Sequence, residues 1–114
     1  METKQAISAL AAIAQESRLA VFRLLVQTGP AGLTAGKISE HLKIPPSSLS
    51  FHLKELTYAG MVKVKQDGRF MIYTANFDTM NNLLGFLTEN CCGGTPCSPS
   101  LSCTPGTCNE AIFS

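Results

Sequence analysis

The sequence of 114 residues predicts a small, mainly α chain with one β-hairpin, in the order α-α-α-α-β-β-α, followed by a tail. Three observations carry that reading. From Thr3 to Ala59, apolar side chains recur at helical spacing between clusters of Gly, Pro and Ser. The period then shortens to two on either side of Asp67-Gly68, and Asp-Gly between two such runs is the strongest short-range hairpin signal. From Cys91 onward the composition turns to Gly, Pro, Ser, Thr and Cys, which cannot bury a core. Residues 1–90 therefore read as one folded domain, and residues 91–114 as a flexible, cysteine-rich tail.

The first helix is expected over residues 3–14, where Ile7, Leu10, Ala11 and Ala14 keep helical spacing. A break near Gln15-Glu16-Ser17 leads to a second helix over 17–27, with Leu19, Phe22, Leu25 and Val26 on one face. Gly29-Pro30-Ala31-Gly32 ends it. Thr34 suits the N-cap of a short third helix that turns Ile38 and Leu42 inward. Pro45-Pro46 stops one helix and suits the start of the next. That fourth helix is expected over 47–59, with Gly60 as its stop. Residues 61–65 and 70–74 form the hairpin, with Met61 and Met71 read as core. A last helix over 78–89 carries Met80, Leu83, Leu84 and Leu87 as an apolar stripe behind Phe77.

Composition narrows the function. The formal net charge is +1, so overall charge gives no warrant for nucleic-acid binding. The charge is unevenly spread, however. Between residues 37 and 69, Lys37, Lys43, Lys54, Lys63, Lys65 and Arg69 face only Glu40, Glu55 and Asp67. No secretory signal pattern is visible, and the most apolar run, residues 19–26, is interrupted by Arg23 and too short to span a bilayer. A cytoplasmic protein with no membrane partner is expected, and its thiols should then stay reduced. Enzyme chemistry lacks its parts. There is no phosphate loop, and no nucleophile–base pair has a third group; the only histidines are His41 and His52.

Two short helices joined tightly and followed by a basic hairpin make a winged helix-turn-helix. On a wheel of about 100° per residue, Leu49, Leu53 and Leu56 share the core side of the fourth helix. Ser47, Ser50, Phe51 and Lys54 fall on the far side, with Ser48 and His52 on the flanks. Small residues let a helix sink into the major groove, Ser and Lys can meet base edges and phosphates, and Phe51 suits a thymine methyl. His52 fits a half-buried packing role equally well. On the hairpin Lys63 and Lys65 share a face, and Arg69, beside Gly68, can reach the backbone or a minor groove. The candidate DNA-binding residues are thus Ser47, Ser48, Ser50, Phe51, His52, Lys54, Lys65 and Arg69. An exposed Ser-rich face is also what a merely solvated helix shows. The basic hairpin beside it is what favours DNA.

Three segments carry a resemblance. Ala12-Ile13-Ala14-Gln15-Glu16-Ser17-Arg18-Leu19 resembles the entry to the second helix in the ArsR/SmtB family of metal-responsive repressors. Leu49-Ser50-Phe51-His52-Leu53-Lys54-Glu55-Leu56, with Ala59-Gly60-Met61-Val62, is similar to that family's recognition helix. Gly68-Arg69-Phe70-Met71-Ile72-Tyr73 is similar to its wing. The match spans residues 5–90. It implies a homodimer through the first and last helices, double-stranded operator DNA with dyad symmetry, and repression relieved by a bound ion. Gln15-Glu16 replaces the family's usual Asp-Pro, which is expected to cost a helix cap.

The ion follows from the ligands. All five cysteines lie in the tail: Cys91, Cys92, Cys97, Cys103 and Cys108. The Cys-Val-Cys of many arsenic sensors is absent from the third helix, and the His/Asp set of zinc and cobalt sensors is absent from the last. An adjacent pair just after the last helix, with a third cysteine following, resembles the arsenic-responsive subset with C-terminal cysteines. Trivalent arsenic is soft and pyramidal, so three sulfurs complete it, whereas zinc wants four ligands in a tetrahedron. Gly93 and Gly94 let both adjacent thiols turn toward one ion, and a pair beyond a helix C-terminus should stay protonated until an ion displaces the protons. Cys91 and Cys92 are the expected ligands, with Cys97 third, ahead of Cys103 and Cys108. Trivalent arsenic is the expected inducer, with antimony as an alternative; no permanent cofactor is expected. The rival reading is a cytosolic zinc or cadmium regulator or buffer, or a thiol redox switch, using the same cysteines.

Overall fold

The structure, a computed structural model, describes residues 1–89. In chain order it contains α1 (Thr3–Ile13), α2 (Glu16–Thr28), β1 (Leu33–Thr34), α3 (Ala35–Leu42), α4 (Pro46–Tyr58), β2 (Val62–Asp67), β3 (Phe70–Ala75) and α5 (Phe77–Leu87). Met1–Leu83 form one compact unit, and α5 passes at Leu84 into a second.

The α1–α2 corner is tied by two polar side chains. Gln15 Oε1 accepts the backbone N–H of Arg18 at 2.9 Å and so caps α2. The replacement of the family's Asp-Pro therefore keeps its cap, because a glutamine amide oxygen reaches the same orphan donor. Arg18 then turns back, and its Nε–H donates to the Ala12 carbonyl at 2.6 Å. That bond satisfies an acceptor that the end of α1 leaves open.

The core of the first unit is built from Val21, Phe22 and Leu25 of α2, Ile38 of α3, Leu49, Leu53 and Leu56 of α4, and Met61, Val62, Ala75 and Leu83. Against it α1 lays Ala6, Ala9 and Ala12, while Ile7 is 60% exposed and Leu10 is exposed too. The periodicity located this helix but suggested the wrong inward face. Two apolar stripes run along it, and the small one packs, because alanines let α1 touch α2 and α4 closely. Met71, read as core from the sequence, lies outside it at 45% exposure, and Leu19 of the α2 apolar face is exposed at 41%.

The sheet is antiparallel with strand order β1-β3-β2. β1 was not expected; two residues are too few to show a period. It pairs Leu33 with Tyr73 and Thr34 with Ile72. Gly32 makes this approach possible. Its φ is +68°, and a Cβ there would lie 2.5 Å from the Tyr73 carbonyl oxygen. Thr34 then caps α3, accepting the Lys37 N–H at 3.3 Å. On the other side, Asn76 closes the domain. Its N–H donates to the Met61 carbonyl at 2.8 Å and its Nδ2 to the Gly60 carbonyl at 2.9 Å, while its Oδ1 accepts the Thr79 N–H at 3.2 Å. One residue thus fixes the end of the hairpin and starts α5. That helix ends at Leu87, short of the expected Glu89.

Candidate nucleic-acid interface

α3 and α4 meet through Lys43-Ile44-Pro45. Lys43 is left-handed, with φ 56°, the one non-glycine residue among those described to be so. The turn is held at both ends of Ile44: its N–H donates to the Ser39 carbonyl at 3.2 Å, and its own carbonyl accepts the Ser39 hydroxyl at 2.6 Å. Pro46 opens α4 where a missing N–H costs nothing. With Leu49, Leu53 and Leu56 buried, the helix has one permitted rotation. It leaves Ser47, Ser48, Ser50, Phe51 and Lys54 exposed and His52 half-buried. Phe51 is 55% exposed, and its ring meets the His52 ring edge-on, with centroids 5.9 Å apart.

The hairpin has two unlike faces, set by its register: Lys63↔Thr74, Val64↔Tyr73, Lys65↔Ile72 and Gln66↔Met71. Val64, Met71 and Tyr73 turn toward α4. With Ser50, Leu53, Lys54, Thr57 and Tyr58 they line an open groove of about 380 Å³. Lys63 and Lys65 share the opposite face, beside Ile72, Thr74, Pro30 and Ala31. The structure therefore unites Ser50 and Lys54 with the wing's apolar side and sets Lys65 on its outer side. At the tip, Gly68 takes φ 64° and its carbonyl accepts from Gln66 Nε2 at 3.2 Å, which leaves Arg69 and Phe70 projecting.

Alternation along β2 separates these faces in the sequence; which of them meets α4 follows from the pairing with β3. No sequence signal pointed to Tyr58, which is 89% exposed at the end of α4. Among the described residues no three His, Cys, Asp or Glu side chains come together as a metal site. The expected metalloid ligands Cys91, Cys92, Cys97, Cys103 and Cys108 lie outside the described residues. Within those residues no helix is long and apolar enough to cross a membrane.

Comparison with known proteins agrees with this geometry. A family model described as a helix-turn-helix domain matches residues 13–65, from the end of α1 into β2. An uncharacterized HTH-type transcriptional regulator of Bacillus subtilis is 35% identical over 77 residues, 67% of this chain and 76% of that protein. A solved structure described as a possible transcriptional regulator for arsenical resistance superposes with a TM-score of 0.61 at 28% identity, covering 72% of this chain and 82% of the other. The homodimeric winged helix-turn-helix DNA-binding domain of a possible ArsR-family regulator from Mycobacterium bovis matches with a TM-score of 0.62 at 20% identity, over 76% of this chain and 81% of that one.

Proposed function

This chain belongs to the helix-turn-helix transcriptional regulators, with the fold of their ArsR-type members, and from that premise we propose an arsenite-responsive repressor. It binds a dyad-symmetric operator as a homodimer and releases it when trivalent arsenic, or antimony, binds the C-terminal thiols. The observation that carries the inducer is the adjacent pair Cys91-Cys92, followed by Cys97. Three soft donors suit a pyramidal, sulfur-seeking ion, and trivalent arsenic supplies three coordination positions. Cys103 and Cys108 rank behind Cys97 because they need longer loops, although each doubling of loop length adds only about 0.6 kcal/mol.

The DNA is read by Ser47, Ser48, Ser50, Phe51 and Lys54 of α4, which the buried leucines leave exposed, and by the half-buried His52. Arg69 at the wing tip reaches the flanking backbone or minor groove, and Lys65 adds a backbone contact from the wing's outer side. Dimerisation uses the first and last helices. The exposed Ile7 and Leu10 of α1, and the exposed Leu84 and Leu87 of α5, are apolar side chains for a second copy to cover. The dimer sets its two α4 helices one DNA turn apart, about 34–36 Å. Cys91 follows Leu87, the end of α5, by four residues, so ion binding acts on the dimer contact rather than on the reading head. Linkage makes the effect reciprocal: an ion that weakens DNA binding is itself bound less tightly on DNA, by a coupling of about 1–3 kcal/mol.

The test is a mobility-shift titration on the duplex that the protein selects, with arsenite, antimonite, cadmium and zinc added in turn. Release by arsenite and antimonite at concentrations where zinc has no effect supports the reading. Equal release by zinc or cadmium would return the cysteines to a general soft-metal regulator, and absence of any specific complex would return them to a buffer.

A further inference from the structure

The groove between α4 and the wing, about 380 Å³, has a lining that binding of DNA does not explain. Leu53 is buried there, while Val64 and Met71 beside it keep 39% and 45% of their surface exposed. Tyr73 is half-buried along the same groove. Thr57 adds no free donor, because its hydroxyl already donates to the Leu53 carbonyl at 2.7 Å. Phosphates are met by donors and cations, and of the lining residues Ser50 and Lys54 are the ones suited to that. No carboxylate lines the groove, so Lys54 is its one charged group. Ser50 precedes Lys54 by one helical turn, which puts hydroxyl and ammonium on one face of α4. Tyr58, also of the lining, is 89% exposed, an aromatic ring that neither the core nor the reading face uses.

We infer that this groove is a binding site for a small aromatic carboxylate, which lies between α4 and the wing and keeps DNA from Ser50 and Lys54. Charge complementarity names the head group: a carboxylate accepts from the Lys54 ammonium and the Ser50 hydroxyl. The apolar lining names the body. Val64 and Leu53 take a flat hydrocarbon, the Met71 thioether suits a ring edge, and the rings of Tyr58 and Tyr73 suit stacked or edge-on contact. The volume falls within the usual range of small-molecule sites, about 300–1,000 Å³. Such a ligand acts at the reading head, so it is an effector separate from any ion held by the tail. Its effect on DNA rests on the repressor reading, whereas its binding does not.

The experiment titrates 2-naphthoate into the full-length wild-type protein and follows its labelled methionine methyl groups by NMR. Met71 lines the groove, Met61 is buried in the core, and Met80 belongs to α5. The expected result is a saturable ring-current shift of the Met71 methyl, with those of Met61 and Met80 unmoved. 2-Naphthamide keeps the rings without the charge, and Lys54→Ala removes the cation; each is expected to weaken binding about fivefold or more, as loss of a charged hydrogen bond does. The second arm measures affinity for the selected duplex. Saturating naphthoate is expected to lower it about fivefold or more in the wild type and in Cys91→Ser/Cys92→Ser alike. Met71→Trp fills the groove with a ring that a strand accepts, and should bind the duplex normally but ignore naphthoate. No saturable Met71 shift, equal shifts at Met61 and Met80, or an amide bound as tightly as the acid each overturns the inference. So does a Met71 methyl that moves with protein concentration alone, the sign of a second copy in the groove, or a duplex affinity untouched at saturation. A protein that selects no duplex overturns the repressor reading instead, and the Met71 shift still decides the site.

Discussion

Gly32→Ala should be the most damaging single methyl group added to this domain. The backbone term comes first: Gly32 has φ +68°, and a non-glycine residue in the left-handed region costs about 1–2 kcal/mol. The steric term is larger. The new Cβ would stand 2.5 Å from the Tyr73 carbonyl oxygen, 2.6 Å from Thr74 Cγ2 and 2.7 Å from Ile72 Cγ2, against a comfortable separation of about 3.5–4.0 Å. The methyl groups can turn, but the carbonyl belongs to β3, the central strand, whose Tyr73 pairs with both Leu33 and Val64. The chain's cheapest escape is to lift β1 away and lose its short ladder, at about 1 kcal/mol per backbone bond. The total comes to about 3 kcal/mol, and because Thr34 caps α3, the loss reaches the helix-turn-helix. Gly68→Ala is the control. Its φ is +64° with nothing within 4 Å of the added Cβ, so it carries the backbone term alone, about 1–2 kcal/mol. Urea denaturation of both variants at one protein concentration gives the comparison. If Gly32→Ala costs no more than Gly68→Ala, close packing of the 29–32 turn on β3 is not what holds β1.

Other perturbations follow from the same geometry. Lys43→Gly relieves the left-handed strain at an exposed turn residue and should stabilise the domain by about 1 kcal/mol, seen as a raised urea midpoint with unchanged slope; a loss of stability would show that the Lys43 side chain matters. Asn76→Ala removes the α5 cap and the Gly60 bond together and should cost about 2 kcal/mol; a cost under about 0.5 kcal/mol, the usual range for an unimportant surface change, would contradict that role. Arg18→Met keeps the aliphatic stem but loses the 2.6 Å bond to Ala12, for an expected loss of about 1.5–3 kcal/mol in a thermal melt. Lys54→Ala should weaken every duplex similarly and reduce the salt slope of binding by about 1, whereas an unchanged slope would take Lys54 off the phosphates.

The reading head was the most legible part of the chain. Leu49, Leu53 and Leu56 are large and spaced at one helical period, and no competing stripe exists on α4, so the exposed face followed directly. On α1 the same method failed for a physical reason. Ala6, Ala9 and Ala12 offer closeness rather than bulk, while the larger Ile7 and Leu10 mark an outward face. β1 and the Asn76 lock escaped because they depend on pairings far apart in sequence and on a glycine whose value lies in the atom it lacks. The wing's sidedness was half visible: Lys63 and Lys65 were seen to share a face, but which face meets α4 is set by the register with β3. Arg18 was recognised within a family-like segment, and only the fold shows it reaching back to α1.

Whether ion capture by the tail loosens the grip of α4 on DNA is read by fluorescence anisotropy. The full-length protein is titrated onto its selected duplex with and without arsenite, beside a Cys91→Ser/Cys92→Ser variant. The expected result is equal affinity of the two proteins without arsenite, and at least a fivefold loss with arsenite in the wild type alone, the lower end of typical coupling. A wild-type affinity untouched by arsenite, or a double variant that responds as the wild type does, would mean that Cys91 and Cys92 do not govern DNA release.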